Sequence, residues 1–248
     1  MTLRILSYNI RRGGAGREEP LAAVIRSVNP DIAVLEEATR PDVVERLARE
    51  TGMDEWSARP GKSLAFMSRH PVAAFAARQP AISRHAFLEI VPSTAAWRVF
   101  GVHLSAVHAA WTERRRLFEL RALLRAVAAS GKGPHVLIGD FNTVAPGEIF
   151  DPRRLPRRLR ALVWLSGGHI RWRTIATVLA AGYVDSFRQL HPNDVGYTLP
   201  TPDPHVRLDY AFVPGAFAQH VRSCEIVRTP EVAQASDHFP LLVELDVP

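Results

Sequence analysis

Apolar runs of strand length recur through this chain, and most of them stop on a carboxylate, an amide or a histidine. Leu3-Arg4-Ile5-Leu6-Ser7-Tyr8-Asn9 alternates as a half-buried strand does and brings Asn9 to its end. Residues 32–37 are apolar enough for the interior of a sheet, yet they finish on two acids, Glu36 and Glu37. The run 135–138 is closed by Gly139-Asp140-Phe141-Asn142, and Arg207-Leu208-Asp209-Tyr210-Ala211-Phe212-Val213 carries an acid at the head of another run. Ser236-Asp237-His238-Phe239-Pro240 then precedes a last one, 241–245. Polar ends on buried strands constrain the fold, because the strands must lie so that these ends converge on one sheet edge. Carboxylates, amides and a histidine gathered there can bind a hard cation and steer water, which is the chemistry of metal-assisted phosphoester hydrolysis.

Further strands are predicted over 64–68, 87–91, 97–103 and 221–227, and helices over 18–28, 42–50, 112–129 and 175–181. Strands this numerous with helices scattered between them predict two packed sheets covered by helices rather than a pure βα repeat. With 248 residues, 47% of them hydrophobic, and no linker or repeat, the expectation is a single domain spanning 1–248. No apolar run has the length of a membrane span, and Met1-Thr2-Leu3-Arg4-Ile5 enters a strand pattern at once, so a soluble, cytoplasmic protein is expected. Cys224 is the only cysteine, which excludes an internal disulfide and a cysteine-built zinc site. The formal charge of +6 favours an anionic partner: nucleic acid, a phosphorylated metabolite or an anionic lipid surface. Lys62 and Lys132 are the only lysines, so that charge is carried by arginine.

Taken in order, these segments resemble the endonuclease/exonuclease/phosphatase superfamily of metal-dependent phosphoesterases. Ser7-Tyr8-Asn9-Ile10, Leu35-Glu36-Glu37, Met67-Ser68-Arg69-His70-Pro71, Val102-His103-Leu104-Ser105, Gly139 to Asn142, Arg207 to Tyr210 and Ser236 to His238 are similar to its seven successive motifs. The resemblance implies an α+β, four-layer αββα sandwich with the site at one mouth.

It also implies roles. Glu37, with Asn9 beside it, is expected to hold Mg2+ or Mn2+, because a hard cation prefers carboxylate and amide oxygens, and Asp237 is expected to contact metal or water nearby. Asp140 is the expected base for water, and Asn142 a donor to the crowded transition state. His238 is expected to touch the phosphate, with Asp209 fixing its tautomer and raising its pKa, while His103 acts as a second donor or acid for the leaving oxygen. Each segment has an ordinary reading when taken alone: a solvated strand end, an Asx turn, a loop cap. Together those readings must account for four acids, two amides and two histidines at strand ends. The remaining histidines, among them His85, His108 and His169, show no metal-ligand spacing, and Asp185 reads as structural.

Glu36 stands where the family commonly has glutamine, which adds a negative charge that strengthens cation binding or faces solvent. The histidine in Val102-His103-Leu104-Ser105 resembles the deoxyribonuclease, sphingomyelinase and inositol-phosphatase branches more than the abasic-site endonucleases. Residues 151–174 carry Arg153, Arg154, Arg157, Arg158, Arg160, Arg171 and Arg173 with Trp164 and Trp172. Leucines at helical spacing there predict a basic amphipathic helix, suited to nucleic-acid phosphates, to an anionic membrane, or to no partner beyond solvent. The expected function is a Mg2+/Mn2+-dependent nuclease acting on DNA or RNA, with a hydrolase of phospholipid headgroups or inositol phosphates as the alternative.

Overall fold

The protein is described by a computed structural model over residues 1–80, 83–106, 110–165, 167–168 and 171–247. Its elements run β1 (Thr2–Asn9), α1 (Glu18–Val28), β2 (Ile32–Glu36), α2 (Pro41–Thr51), β3 (Glu55–Ser57), β4 (Ala65–Ser68), β5 (Val72–Arg78), β6 (Phe87–Pro92), β7 (Arg98–His103) and α3 (Ala110–Ala129). They continue with β8 (His135–Asp140), α4 (Arg157–Leu165), α5 (Arg173–Ala180), β9 (Tyr183–Asp185), α6 (Ser186–Leu190), β10 (Asp209–Pro214), β11 (Val221–Ile226), α7 (Val232–Ala235) and β12 (Leu241–Asp246).

Two six-stranded sheets form, in the orders β11-β12-β1-β2-β4-β3 and β5-β6-β7-β8-β10-β9. Each contains one parallel pair, β1 with β2 and β7 with β8, joined by a crossover that carries a helix, α1 or α3. Alternation along the strands sorts the side chains into layers. Leu3 and Ile5, Ile32 and Val34, Val99, Val136 and Ile138, and Ala211 and Val213 meet between the sheets. The intervening Leu6, Tyr8, Ala33 and Leu35 pack on Leu21 and Ile25 of α1 and on Val44 and Leu47 of α2. On the far side Phe100, Leu137 and Phe212 pack on Leu120 and Leu123 of α3 and on Ile175 and Val178 of α5. The result is the four-layer αββα sandwich that the resemblance implies.

The same period of two positions the site. Continuing each inter-sheet series in steps of two along its strand reaches Ser7 and Asn9 on β1, Glu36 on β2, His103 on β7, Asp140 on β8 and Asp209 on β10. All six are buried polar residues at one end of the inter-sheet core. Gly139 permits the close approach there: with φ +148, a Cβ on it would lie 1.9 Å from the Val102 carbonyl oxygen, so β8 can lie against β7 at this point only with glycine.

Three strands lie outside the sequence expectation, and all are sheet edges: β3, β5 and β9. The Arg-rich segment does contain a helix, α4, but Val163 is its only fully buried residue, and Trp164 and Leu165 stand 75% and 67% exposed. No helix among the described residues is long and apolar enough to cross a membrane.

Candidate active site

The two sheets are joined at their mouth by a chain of polar contacts. Asn9, ending β1, donates from Nδ2 to Asp140 Oδ2 at 3.1 Å, and the Asn142 backbone N–H donates to Asp140 Oδ1 at 2.8 Å. Strand register places Asp140 opposite Asp209 on one side and His103 on the other. Asp209 Oδ2 lies 3.0 Å from His238 Nδ1. The loop bearing His238 is fastened to β1 by Ser236, whose hydroxyl donates to the Asn9 carbonyl at 2.6 Å and accepts the His238 N–H at 3.3 Å.

Arg207 is buried, meets Asp185 through both carboxylate oxygens (3.1 and 2.6 Å) and Glu148 at 2.6 Å, and stacks its guanidinium 4.4 Å from the Tyr210 ring. Asp185 also caps α6 by accepting the Arg188 N–H, which agrees with its structural reading.

Burial and crowding set the charges. Glu36 is fully buried; burial first, then Asp209 and Asp140, push its carboxyl well above the ordinary range against a 2.9 Å hydrogen bond from Ser7. Glu36 therefore does not face solvent. Asp140 is raised by burial and by Asp209, with His238, the Asn142 N–H and Asn9 opposing. For His238, burial works against the cation, but Asp209, Asp140 and Asp237 outweigh it and lift the imidazole to about 10. His103 goes the other way, well below its ordinary value, through burial and then His85 and His238. Asp140, Asp209 and His238 offer ligand atoms within 4.8 Å of one another, the cluster among the described residues with the geometry to share a metal ion.

The remaining expected site residues sit around this centre. Glu37, half-buried just past β2, accepts the Arg12 backbone N–H on Oε2 at 2.7 Å and lines a cavity of about 500 Å3 beside His103. Asp237 points to Arg11, 3.3 Å from its Nε, rather than to Glu37. Asn142 donates its side-chain amide to the Leu104 carbonyl at 3.0 Å. His103 has Nδ1 against the Ser63 hydroxyl and Nε2 3.9 Å from Asp140 Oδ2. Arg153, Arg157 and Arg158 are exposed, and Arg154 pairs with Asp203. The segment reaches the site at its far end, where Thr143, next to Asn142, donates to the Arg171 carbonyl at 3.3 Å.

Several contributors escaped the sequence reading. Ser63 accepts the Glu37 N–H at 3.3 Å while touching His103, so one hydroxyl links both flanks of the cavity. Arg17 binds the carbonyls of Ile10 (2.9 Å), Arg11 and Ala235, fixing the turn after Asn9. His85, expected to be a packing residue, packs flat on His103, with ring centroids 4.5 Å apart; His108 and His169 lie outside the described residues. Arg11-Arg12 directly after the first motif was the available signal for this turn, whereas nothing local marks Ser63. Backbone strain also gathers here: Arg11, Arg12, Glu37 and Asn142 all hold φ between +51 and +54, a region costly for side chains with a Cβ and enriched at functional sites.

Comparison with known proteins agrees with this architecture. The sequence profile of the Endonuclease/Exonuclease/phosphatase family matches residues 6–238, and the chain belongs to that family of phosphoesterases. Solved structures share its fold. A variant of the 3' phosphatase NExo from Neisseria, bound to product DNA hairpin, superposes with a TM-score of 0.72 at 22% identity over 98% of this chain and 99% of its own. An AP endonuclease from Archaeoglobus fulgidus gives 0.75 at 18% identity over 99% and 100%. An endonuclease/exonuclease/phosphatase from Beutenbergia cavernae gives 0.71 at 23%, over 99% of this chain and 72% of its own. No curated protein sequence matches this chain significantly.

Proposed function

We propose that residues 1–248 act as one unit, a divalent-metal-dependent phosphodiester hydrolase whose substrate is nucleic acid. The observation that supports this most is the contact chain Asn9, Asp140, Asp209, His238, which sets a base candidate and a cationic donor side by side. Asp140, held by two donors and raised toward neutrality, is suited to take the proton of an attacking water. His238 has Nδ1 committed to Asp209, which leaves Nε2–H as a charged donor to a phosphoryl oxygen. His103, held neutral, serves as a donor near the leaving oxygen rather than as a strong acid. Asn142 fixes Asp140 through its backbone and the loop after His103 through its amide, so its support of the transition state is partly indirect.

The donor set fits a hard divalent cation, since three carboxyls crowd one mouth and, among the described residues, Glu36 Oε2 is buried without a partner. Glu37 with Asn9 would hold Mg2+ or Mn2+, with Asp237, turned toward Arg11, nearby, and Asp140, Asp209 and His238 form the other group able to share an ion. A bound cation supplies Lewis-acid stabilisation of charge on the phosphate. The Neisseria neighbour bound to product DNA hairpin, the Archaeoglobus AP endonuclease and the net charge of +6 support a nucleic-acid substrate. One feature favours the lipid-headgroup or inositol-phosphate alternative: Trp164, Leu165 and Trp172 are exposed among the arginines of 153–173, a pattern suited to an anionic membrane.

A panel of oligonucleotides, phospholipid headgroup diesters and inositol phosphates, assayed with Mg2+, Mn2+ and chelator, tests the reading. Metal-dependent cleavage of oligonucleotides is expected. Turnover confined to the other two classes, or undiminished in chelator, contradicts it.

A further inference from the structure

The outer helical layer on the second sheet has a surface that the hydrolytic centre does not explain. Along α3 the buried side chains recur as Glu113, Arg116, Leu120, Leu123 and Val127. The same spacing, shifted to the opposite face, leaves Trp111, Arg114, Phe118, Arg121 and Arg125 exposed. Both acids of α3 are withdrawn from that face. Glu113 pairs with Arg116 at 2.9 Å and accepts the Thr174 N–H at 2.8 Å, and Glu119 accepts the Ser105 N–H at 3.0 Å.

Residues 152–181, which include α4 and α5, hold seven arginines and no acid. Together with 110–129 they carry a formal charge of +10, which leaves the rest of this +6 chain at −4. Among the described residues, the ion pairs made by arginines of these two segments are Arg116 with Glu113 and Arg154 with Asp203. The other ten are exposed and have no carboxylate partner.

The contact between Glu113 and Thr174 joins the starts of α3 and α5, and Trp111 and Trp172 each lie two residues from it along the chain. Six of the eleven large hydrophobic side chains exposed among the described residues fall in these two segments, about a fifth of the chain, so apolar exposure is concentrated where the charge is. Arginines interleaved with Trp, Phe and Leu on a face without acids suit the interface between water and an anionic bilayer. Indole rings sit there at headgroup level, and cations are drawn to lipid phosphates. A polynucleotide would engage the arginines and stack on the tryptophans, but Leu165 and Leu179 offer a base neither a donor nor a π face.

We infer that this face docks the protein on an anionic membrane surface, an attachment separate from the choice of phosphoester that is cut. Because the Arg171 carbonyl accepts from Thr143, next to Asn142, the docked face adjoins the mouth.

Flotation of the full chain with vesicles of phosphatidylcholine, alone or mixed with phosphatidylglycerol, tests this, alongside tryptophan emission and oligonucleotide binding by fluorescence anisotropy in chelator. The parent should float with the mixed vesicles only, shift its emission to the blue and be released as salt is raised. In variants that match the parent in Tm, Arg114→Gln/Arg121→Gln/Arg173→Gln should weaken vesicle binding about a hundredfold, roughly fivefold for each arginine, and the corresponding Lys variant should retain it. Trp111→Ser/Trp164→Ser/Trp172→Ser should abolish the blue shift and weaken binding about tenfold or more. A parent that stays off the mixed vesicles, or Gln and Ser variants that float as the parent does, overturns the docking surface. So does a Gln variant that loses oligonucleotide binding while keeping vesicle binding, which assigns the face to nucleic acid. The nuclease reading is decided separately, by the substrate panel.

Discussion

The two histidines at the mouth differ by partner and hardly at all by depth. His238 and His103 are 7% and 6% exposed, so burial weighs on both alike. His238 enters from the first sheet, on the loop before β12, and faces Asp209 at 3.0 Å with Asp140 and Asp237 nearby; its imidazole is lifted to about 10. His103 ends β7 of the second sheet, with a hydroxyl, Ser63, as its Nδ1 partner and another imidazole, His85, stacked on its face; it is driven well below the ordinary histidine value. In a buried site the charge state follows from what each ring touches. The same residue type therefore provides a cation on one side of the mouth and a neutral donor on the other.

If that asymmetry governs catalysis, the two rings should not be worth the same. His238→Gln removes a charged donor aimed at the phosphate and should lower kcat by about 10³-fold, whereas His103→Gln should cost about tenfold. Equal losses in steady-state kinetics would break the distinction.

Asp209→Asn sharpens it by changing only the partner. Removing that charge lowers His238, because Asp209 raises it, and also lowers Asp140, which Asp209 raises after burial. The acid limb of the rate profile, from ionisation of Asp140, and the alkaline limb, from loss of the His238 proton, should both move to lower pH, with a rate loss of about 10²-fold near neutrality. Limbs that stay in place, or move in opposite directions, would show that the carboxylate does not set these states.

Ser63→Ala probes the neutral side. Loss of one hydrogen bond that orients His103 should lower kcat about three- to tenfold and leave KM unchanged, and Ser63→Thr should restore most of it. A pure KM effect would place Ser63 in substrate binding instead. The smallest expected change lies farthest from the histidines: replacing Arg153, Arg154, Arg157 and Arg158 with Gln should weaken oligonucleotide binding a few-fold at moderate salt. The slope of log K against log salt should fall by about one unit for each phosphate that is no longer neutralised. Unaltered slopes on oligonucleotides and unaltered binding to anionic vesicles would leave this surface to solvent alone.

Much of this arrangement was legible in the sequence because strand ends carry it. Asn9, His103, Asp140 and Asp209 each extend an alternating apolar series, and alternation alone fixes the face they share. The strands that escaped are edges: β3 and β9 have three residues each, and β5, Val72–Arg78, is alanine-rich and largely exposed, so neither length nor pattern announced them. The groups that tune the site were illegible for a different reason. Ser63, Glu119 and His85 act through tertiary contacts with residues 40, 14 and 18 positions away, and no local spacing encodes a hydroxyl meeting an imidazole across two sheets. Glu36 shows the limit from the other side: its identity was plain, but whether it faced solvent depended on the second sheet closing over it.

The most direct test of the account is a side-chain 15N and 13C NMR titration of both rings in the metal-free protein, assigned with His238→Gln and His103→Gln. The account predicts that His238 remains doubly protonated through neutral pH and loses its proton near pH 10, while His103 remains a single neutral tautomer until well below pH 6.5. Two rings that titrate together near the ordinary histidine value would contradict it.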